Sequence, residues 1–141
     1  VVVIEDVDER PGTGSFVGGV HAGILRALGC IGVITNGAVR DLPTLEELGM
    51  HVFAGSVSVS HAYSHIVEFG KPVLIAGLEI KTGDLLHADR HGVLSVPLDL
   101  ASKLPATADG ILAREREVLE LCRSKDFSIE KLRDAVKDVS H

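Results

Sequence analysis

One stretch of the chain decides how it folds, and the rest can be interpreted outward from it: Gly29-Cys30-Ile31-Gly32-Val33-Ile34-Thr35-Asn36-Gly37-Ala38-Val39-Arg40-Asp41. Its Ile and Val residues form a short β-branched run bounded by glycines, which is typical of a buried strand. Asn36-Gly37 is a turn dipeptide, and we expect it to end that strand. The adjacent Arg40 and Asp41 follow, at the end of a strand where ligands bind in α/β sheets. The alternative is an ordinary surface ion pair, which is disfavoured because adjacent side chains rarely face each other well enough to bridge.

The composition fits a compact soluble domain with one hydrophobic core. The 141 residues are 45% hydrophobic and carry a net charge of −6. The basic residues are scattered among acids, and one Tyr and no Trp are available to stack on bases, so the pattern excludes nucleic acid as a partner. The apolar runs are too short to span a membrane, and no secretory pattern is visible. Cys30 and Cys122 are too few for a disulfide framework, and we expect core thiols in a reducing cytoplasm.

The first third of the chain predicts a strand, a loop and a helix. Residues 1–4 read as a buried strand and residues 5–14 as a polar loop. Apolar residues then recur at helical spacing, from a start at Ser15 or Gly18 to a stop at Gly29. Glycines at a helix start leave the first backbone N–H groups accessible, and the partial positive charge there favours an anion.

The remainder predicts further strands followed by helices. A short helical turn at residues 45–48 precedes a strand at residues 52–59. Residues 73–96 read as successive strands with turns at residues 81–84 and 90–92. Residues 98–141 are predicted to be helical, with two amphipathic faces. This order predicts an α/β fold in which β layers are covered by helices on one side.

Four segments carry a family resemblance. Residues 32–41 look like a G-x-V-x-D-G-x-x-R-D pattern, and residues 82–93 are similar to P-G-D-x-x-x-x-D-x-x-G-V. Residues 52–55 and the pair Pro72-Val73 fall in the expected order between them. Over about residues 1–97 the chain therefore resembles the RraA family, the regulators of ribonuclease activity A, and its relatives, the 4-hydroxy-4-methyl-2-oxoglutarate/oxaloacetate lyases.

The resemblance implies a fold and an assembly. The fold would be a swivelling β/β/α sandwich of the RraA-like type, with strands first and C-terminal helices. Residues 1–97 would form the RraA-like core, and residues 98–141 would pack on that core or on a neighbouring subunit. The helical N-terminal portion that family members carry is absent from this sequence. The assembly would be a ring-shaped homo-oligomer, a trimer or a hexamer.

The resemblance also implies a site and a chemistry. Arg40 would hold a substrate carboxylate by a bidentate contact, and Asp41 would bind a magnesium or manganese ion. Backbone groups at the helix start would complete the anion pocket, namely those of Gly18, Gly19, Val20 and His21. A pyruvate-type 2-oxo acid would be chelated by the metal, which would stabilise the enolate formed by aldol cleavage or by decarboxylation of oxaloacetate.

Three departures from the lyase pattern leave two functions open. Gly19 and Thr44 stand where the active lyases carry acids, and Asn36 replaces a common Asp. Loss of these carboxylates would weaken the water network of the metal. The first function is a metal-dependent lyase acting on 2-oxo acids. The alternative is a non-catalytic, RraA-like regulator that binds a protein partner.

Two other kinds of site are disfavoured. A dinucleotide fingerprint would need a glycine at position 17, where the chain has Val17, and an acid at the end of the next strand, where it has Asn36. A zinc site could use two groups of residues, which are His61 with His65 on one predicted helix face, and His87, Asp89 and His91 along a strand. Neither group has a convincing further ligand nearby, so surface or structural roles are favoured.

Overall fold

The computed structural model describes residues 1–137, and residues 138–141 of the predicted C-terminal helical region lie outside that range. The described elements, in chain order, are β1 (Val2–Ile4), β2 (Ser15–Val17), α1 (Gly19–Ala27), β3 (Gly32–Val39), α2 (Leu42–Glu47), β4 (His51–Val57), β5 (Val73–Ile75), β6 (Leu78–Ile80), β7 (Leu85–Asp89), β8 (Gly92–Val96), α3 (Leu104–Arg123) and α4 (Ile129–Lys137). The chain divides into two compact units, residues 1–95 and the residues from 96 onward. Most strands therefore come first, and the longest helix, α3, comes near the end of the chain and is followed by α4, as predicted.

The first unit is organised around β3. This strand pairs in parallel with β4 on one side, and on the other side with β1 along its first half and β2 along its second half. Ile34 is level with Phe53 of β4, and Ala38 is level with Ser15 of β2. Because the strands run in the same direction and β2 and β4 both pair with β3 up to Val39, the carboxyl ends of β2, β3 and β4 meet at one edge of the sheet, where ligands bind in such folds.

The two faces of β3 bury different partners. Val33 and Val39 belong to a core cluster with Ala22 of α1 and Leu45 of α2. Ile34 lies in a second cluster, with Ile75 and Ile80 of the antiparallel β5–β6 pair. Each fully buried Val or Ile side chain contributes about 1.5–3 kcal/mol. The parallel sheet is thus held between a helical layer and a second β layer, which is the predicted β/β/α arrangement.

The expected turn at Asn36-Gly37 is wrong, since β3 continues unbroken from Gly32 to Val39. The dipeptide instead forms an irregularity inside the strand, where the register shifts between Thr35 and Ala38. The Asn36 amide accepts a hydrogen bond from the N–H of Asp6 at 2.7 Å and donates one to its carbonyl at 2.9 Å. A Cβ at position 37 would lie only 3.1 Å from Asp6, so glycine serves a close approach rather than a turn.

Several local predictions are confirmed and two are corrected. The turn at residues 81–84 is closed by the Lys81 N–H, which donates to Asp84 Oδ2 at 2.7 Å. The first strand is only half-buried, because it lies at an edge of the sheet. Cys122 is exposed rather than a core thiol, because it lies on α3, a helix with no buried residue. Over residues 1–137 the model contains no helix with the length and apolarity needed to cross a membrane.

Candidate active site

The candidate site lies at the carboxyl ends of β2, β3 and β4. Main-chain hydrogen bonds connect the three chain segments there. The Arg40 N–H donates to the Val17 carbonyl at 2.9 Å, and the Ser58 N–H donates to the Val39 carbonyl at 3.0 Å. Residues 58–62 therefore continue alongside the sheet beyond β4. The structure brings together residues from three distant parts of the sequence.

Arg40 is held at one end of its guanidinium group. Its Nη1 donates to the main-chain carbonyl of Ser15 at 2.9 Å and to the Ser15 hydroxyl at 3.0 Å. The guanidinium carbon lies over Gly18, where a Cβ would come within 2.7 Å of it. Glycine at this position is therefore required by the arginine and not by the backbone, whose φ of −137° suits any residue. The Arg40 side chain is mostly buried but still reaches the surface, at 22% exposure.

Asp41 turns its carboxylate back toward the start of α1. Its backbone is left-handed, with φ of 57° and ψ of 41°, a conformation that Asp tolerates better than most residues. Oδ2 accepts the Gly19 N–H at 2.8 Å and lies 3.6 Å from Arg40 Nε. The expectation that Arg40 and Asp41 would not face each other is therefore wrong. The left-handed turn brings the adjacent side chains together, and long-range contacts hold both of them.

The start of α1 is placed beside this pair. Gly18 is the N-cap and provides no capping side chain, so Ser15, which lies in β2, does not begin the helix. One first-turn amide, that of Gly19, is taken by Asp41. Those of Val20 and His21 precede the first amide that donates within the helix, the Ala22 N–H to the Gly18 carbonyl, and they remain as donors for the predicted anion pocket. The His21 ring itself packs edge-on against Phe16 at 4.6 Å, so His21 can contribute only its backbone to that pocket.

The two departures from the lyase pattern are neighbours in space. A Cβ at Gly19 would lie 2.9 Å from the Thr44 methyl carbon and 3.6 Å from Asp41 Oδ2. The lyase pattern has acids at the positions of Gly19, Asp41 and Thr44, and these three positions lie close together in space. Of the three, only Asp41 carries a carboxylate in this chain. The third departure has a different role, because the Asn36 amide exchanges two hydrogen bonds with the Asp6 backbone.

Sequence reasoning missed Ser15 as a site residue. It is fully buried, and both its N–H and its hydroxyl donate to the Ser60 carbonyl, at 2.8 and 3.0 Å. Ser58 and Ser60 hydroxyls lie 3.0 Å apart and both reach the Thr13 carbonyl. The only clue in the sequence was the alternation of serines after β4, because the partner strand of such a segment cannot be deduced from spacing.

The side-chain oxygens of the site limit how a metal ion could be bound. Asp41 Oδ2 is engaged by Gly19 and Arg40, which leaves Oδ1 for a cation, and the side chain is 47% exposed. Within residues 1–137 no group of three or more His, Cys, Asp or Glu side chains could hold a metal ion. One carboxylate oxygen fits a hard cation such as Mg²⁺, which keeps several waters and takes further oxygens from a bound ligand. The residues present therefore fit a metal held jointly with a ligand, and not a protein cage.

The histidine clusters do not form such a cage either. His61 and His65 do not share a helix face, since residues 61–70 are not helical. His91 lies in the turn after β7, where its Nδ1 is 3.2 Å from Asp89 Oδ2, and His87 Nε2 lies 3.8 Å from the same oxygen. The His91 backbone N–H donates to Asp89 and lowers the pKa of that carboxyl below its ordinary value of 3.8. This second cluster is an exposed, local arrangement.

Comparison with known proteins identifies the family. Residues 1–95 match the RraA-like family model, described as Aldolase/RraA. The chain belongs to the RraA-like family. It is similar to a protein of Halalkalibacterium halodurans named provisionally as a 4-hydroxy-4-methyl-2-oxoglutarate aldolase, with 24% identity over 127 residues, 89% of this chain and 54% of that protein. The chain thus spans about half the length of this relative.

Solved structures show the same fold. A protein of Pseudomonas syringae pv. tomato superposes with a TM-score of 0.72 and 24% identity, over 93% of this chain and 62% of that one. Streptomyces coelicolor RraAS2, described as an unusual member of the RNase ES inhibitor RraA protein family, has a TM-score of 0.64 and 23% identity, over 81% and 58% of the two chains. The predicted family and the predicted RraA-type α/β fold are therefore confirmed.

Proposed function

We propose that this chain forms the substrate site of a divalent-metal-dependent lyase that acts on pyruvate-type 2-oxo acids. The reaction would be aldol cleavage of substrates resembling 4-hydroxy-4-methyl-2-oxoglutarate, decarboxylation of oxaloacetate, or both. The observation that carries the proposal is the convergence of Arg40, Asp41 and the Gly19 amide at the carboxyl edge of a parallel sheet. The relative named as an aldolase adds family-level support.

Each group has a defined task in this proposal. Arg40 binds the substrate carboxylate through the guanidinium edge that Ser15 leaves free. The Val20 and His21 amides favour negative charge at the same place, since they begin a helix. Asp41 offers Oδ1 to Mg²⁺ or Mn²⁺, which would supply stabilisation of the charge developing on the 2-keto oxygen. The chain's own contribution is to fix the orientation of the oxo acid.

The proposal includes a homo-oligomer, either a trimer or a hexamer. Val20, Ile24 and Leu28 form an exposed apolar stripe along α1, and Val20 directly follows the site residue Gly19. A neighbouring copy on this stripe would shield the site from water. Light scattering of the full-length protein at micromolar concentration should then give a closed oligomer, and a monomer would contradict this part of the proposal.

The decisive test is pyruvate release with matched aspartate variants. Protein freed of metal by chelation should release pyruvate from oxaloacetate or 4-hydroxy-4-methyl-2-oxoglutarate only after Mg²⁺ or Mn²⁺ is added. Asp41→Asn should abolish release while keeping an amide oxygen for the Gly19 N–H. Asp89→Asn is the control, because that side chain is equally exposed but distant in sequence from every residue of the site. Metal-independent release, or full activity in Asp41→Asn, would contradict the proposal.

A second candidate function is a regulator that binds a protein partner. It is favoured by the absence of carboxylates at Gly19 and Thr44, which leaves Asp41 as the single acid at the point of convergence. Thr44→Glu restores one acid of the lyase pattern. The double variant, which adds Gly19→Asp, restores both. If the lyase proposal is right, Mn²⁺ affinity and turnover should rise. No turnover in any of these folded variants, with Mn²⁺ bound, would favour the regulator.

A further inference from the structure

Ser15 occupies an unusual position for a hydroxyl group. Its side chain is fully buried and belongs to β2, yet it contacts the guanidinium of Arg40, which follows β3. The main chain of Ser15 is fixed independently, because its N–H donates to the Ser60 carbonyl at 2.8 Å and its carbonyl accepts the Ala62 N–H at 3.0 Å. Ser15 therefore cannot follow Arg40 if the arginine moves.

The single hydroxyl proton decides the direction of these hydrogen bonds. A serine hydroxyl has one proton to donate and two lone pairs to accept with. The Ser15 proton is committed to the Ser60 carbonyl at 3.0 Å, so Oγ can meet Arg40 only as an acceptor. Oγ and the Ser15 carbonyl oxygen thus form a fixed pair of acceptors for the two protons of Arg40 Nη1.

This pairing selects one edge of the guanidinium. A bidentate contact with a carboxylate needs two parallel N–H groups, which arginine offers either at its Nη1–Nη2 end or along its Nε–Nη2 side. Nη1 is taken by Ser15, so the end is closed to a ligand. The Nε–Nη2 side is the edge left, and its Nε lies 3.6 Å from Asp41 Oδ2.

We propose that Ser15 is a positioning residue, which locks Nη1 of Arg40 so that a ligand carboxylate docks side-on along the Nε–Nη2 edge, next to Asp41. The proposal rests on the proposed function in that the ligand is a carboxylate such as a 2-oxo acid. It adds the orientation of that ligand, whose carboxylate plane must be coplanar with the guanidinium.

The first measurement needs no ligand and no turnover. Rotation of the Arg40 guanidinium about its Nε–Cζ bond can be followed by ¹⁵N NMR exchange in the wild-type protein, with Arg90, an exposed residue of the β7–β8 turn, as the internal reference. Arg40 should rotate at least about tenfold more slowly than Arg90, since rotation breaks a hydrogen bond to a charged group. Equal rates in the wild-type protein would overturn the proposal.

The second measurement uses matched serine variants. Ser15→Ala should speed Arg40 rotation by about three- to tenfold without reaching the rate of Arg90, because the Ser15 carbonyl still holds Nη1, and it should weaken oxalate binding by about three- to tenfold. With an active substrate, KM should rise more than kcat falls. Ser60→Ala is the control, since it keeps the carbonyl that orients Ser15 and removes only an exposed hydroxyl. Ser15→Thr keeps the hydroxyl and should restore slow rotation.

The outcomes separate this proposal from the proposed function. Arg40 rotation that is slow in the wild type, faster in Ser15→Ala and unchanged in Ser60→Ala supports positioning, even if no oxalate or substrate binds. If the Arg40 guanidinium rotates at the wild-type rate in folded Ser15→Ala, the positioning role of Ser15 is overturned, even if the lyase activity is present. If Ser15→Ala fails to fold, Ser15→Cys replaces it, because a thiol has nearly the same size and is a weak acceptor.

Discussion

Two of the adjacent Arg and Asp pairs in the chain, Arg40-Asp41 and Asp89-Arg90, differ in what holds them. The two carboxylates are almost equally exposed, at 47% and 48%. Asp41 is bound by the Gly19 amide, 22 residues away, and Arg40 by Ser15, 25 residues away. Asp89 is bound by His91, two residues away, within its own turn.

The difference between long-range and local contacts indicates which exposed charges in the molecule can form a site. Contacts within a turn orient a carboxylate but bring no other chemical group to it. Contacts across 22 or 25 residues place a cation, a carboxylate and a helix start at one sheet edge. The exposure of the carboxylates alone would have ranked Asp41 and Asp89 equally. We therefore expect changes at the first pair to affect ligand binding and changes at the second to have only local effects.

The largest expected effect separates the two arginines directly. Arg40→Lys should weaken oxalate binding by about 1.5–3 kcal/mol, because an ammonium group cannot reproduce two parallel hydrogen bonds. Arg90→Lys should leave that affinity unchanged. Calorimetric titration of both variants and the wild type with oxalate checks this. Equal affinities for Arg40→Lys and the wild type would remove the distinction between the two pairs.

A second long-range contact can be broken at Asn36. Asn36→Asp removes the donor that binds the Asp6 carbonyl and places a carboxylate against it, at an expected cost of about 1–2 kcal/mol in the free energy of unfolding. The cost should shrink in acid, because a protonated Asp can donate to that carbonyl again. Urea unfolding at neutral and acidic pH measures both effects. An undiminished cost in acid would show that the hydrogen bond is not the cause.

A smaller effect is expected when the space over Gly18 is filled. Gly18→Ala places a Cβ 2.7 Å from the Arg40 guanidinium carbon and from Asp41 Oδ2, and both flexible side chains can shift. Oxalate affinity should fall about three- to tenfold, with a change in stability below about 1 kcal/mol.

Gly23→Ala is the matched control for that change. Position 23 lies within α1 with no atom inside 4 Å of the added carbon, so stability should rise by about 0.5–1 kcal/mol and oxalate affinity should stay constant. Thermal unfolding and oxalate titration of the two variants complete the comparison. Equal oxalate affinities in Gly18→Ala and Gly23→Ala would show that ligand binding by Arg40 does not depend on glycine at position 18.

The smallest expected effect concerns Asp89. Its pKa is lowered first by the His91 backbone N–H and second by the His91 side chain. His91→Ala should therefore keep most of the lowering, as a ¹³C carboxyl titration by NMR would show. A lowered pKa stabilises the folded chain at neutral pH, and this contribution is lost as the pH falls below about 3.8. A return to the ordinary pKa in His91→Ala would show that the side chain dominates.

The sequence by itself determined most of the elements, although not β2, and predicted the place of the candidate site. β-branched periodicity marked β3, the glycine pair marked the start of α1, and the position of Arg40-Asp41 after a buried strand marked the sheet edge where ligands bind. The motif order also indicated the family that the match over residues 1–95 establishes. These features are local, since periodicity and capping depend on residues within a few positions of each other.

Only the tertiary structure decided how those residues meet. The contacts of Arg40 with Ser15, and of Asp41 with Gly19, depend on which parallel strands lie beside β3 and in which register. The left-handed backbone of Asp41 could not be predicted, because residues other than glycine rarely adopt it. The continuation of β3 through Asn36 depends likewise on Asp6, 30 residues earlier. Such pairings are set by packing of the whole core, and no local pattern encodes them.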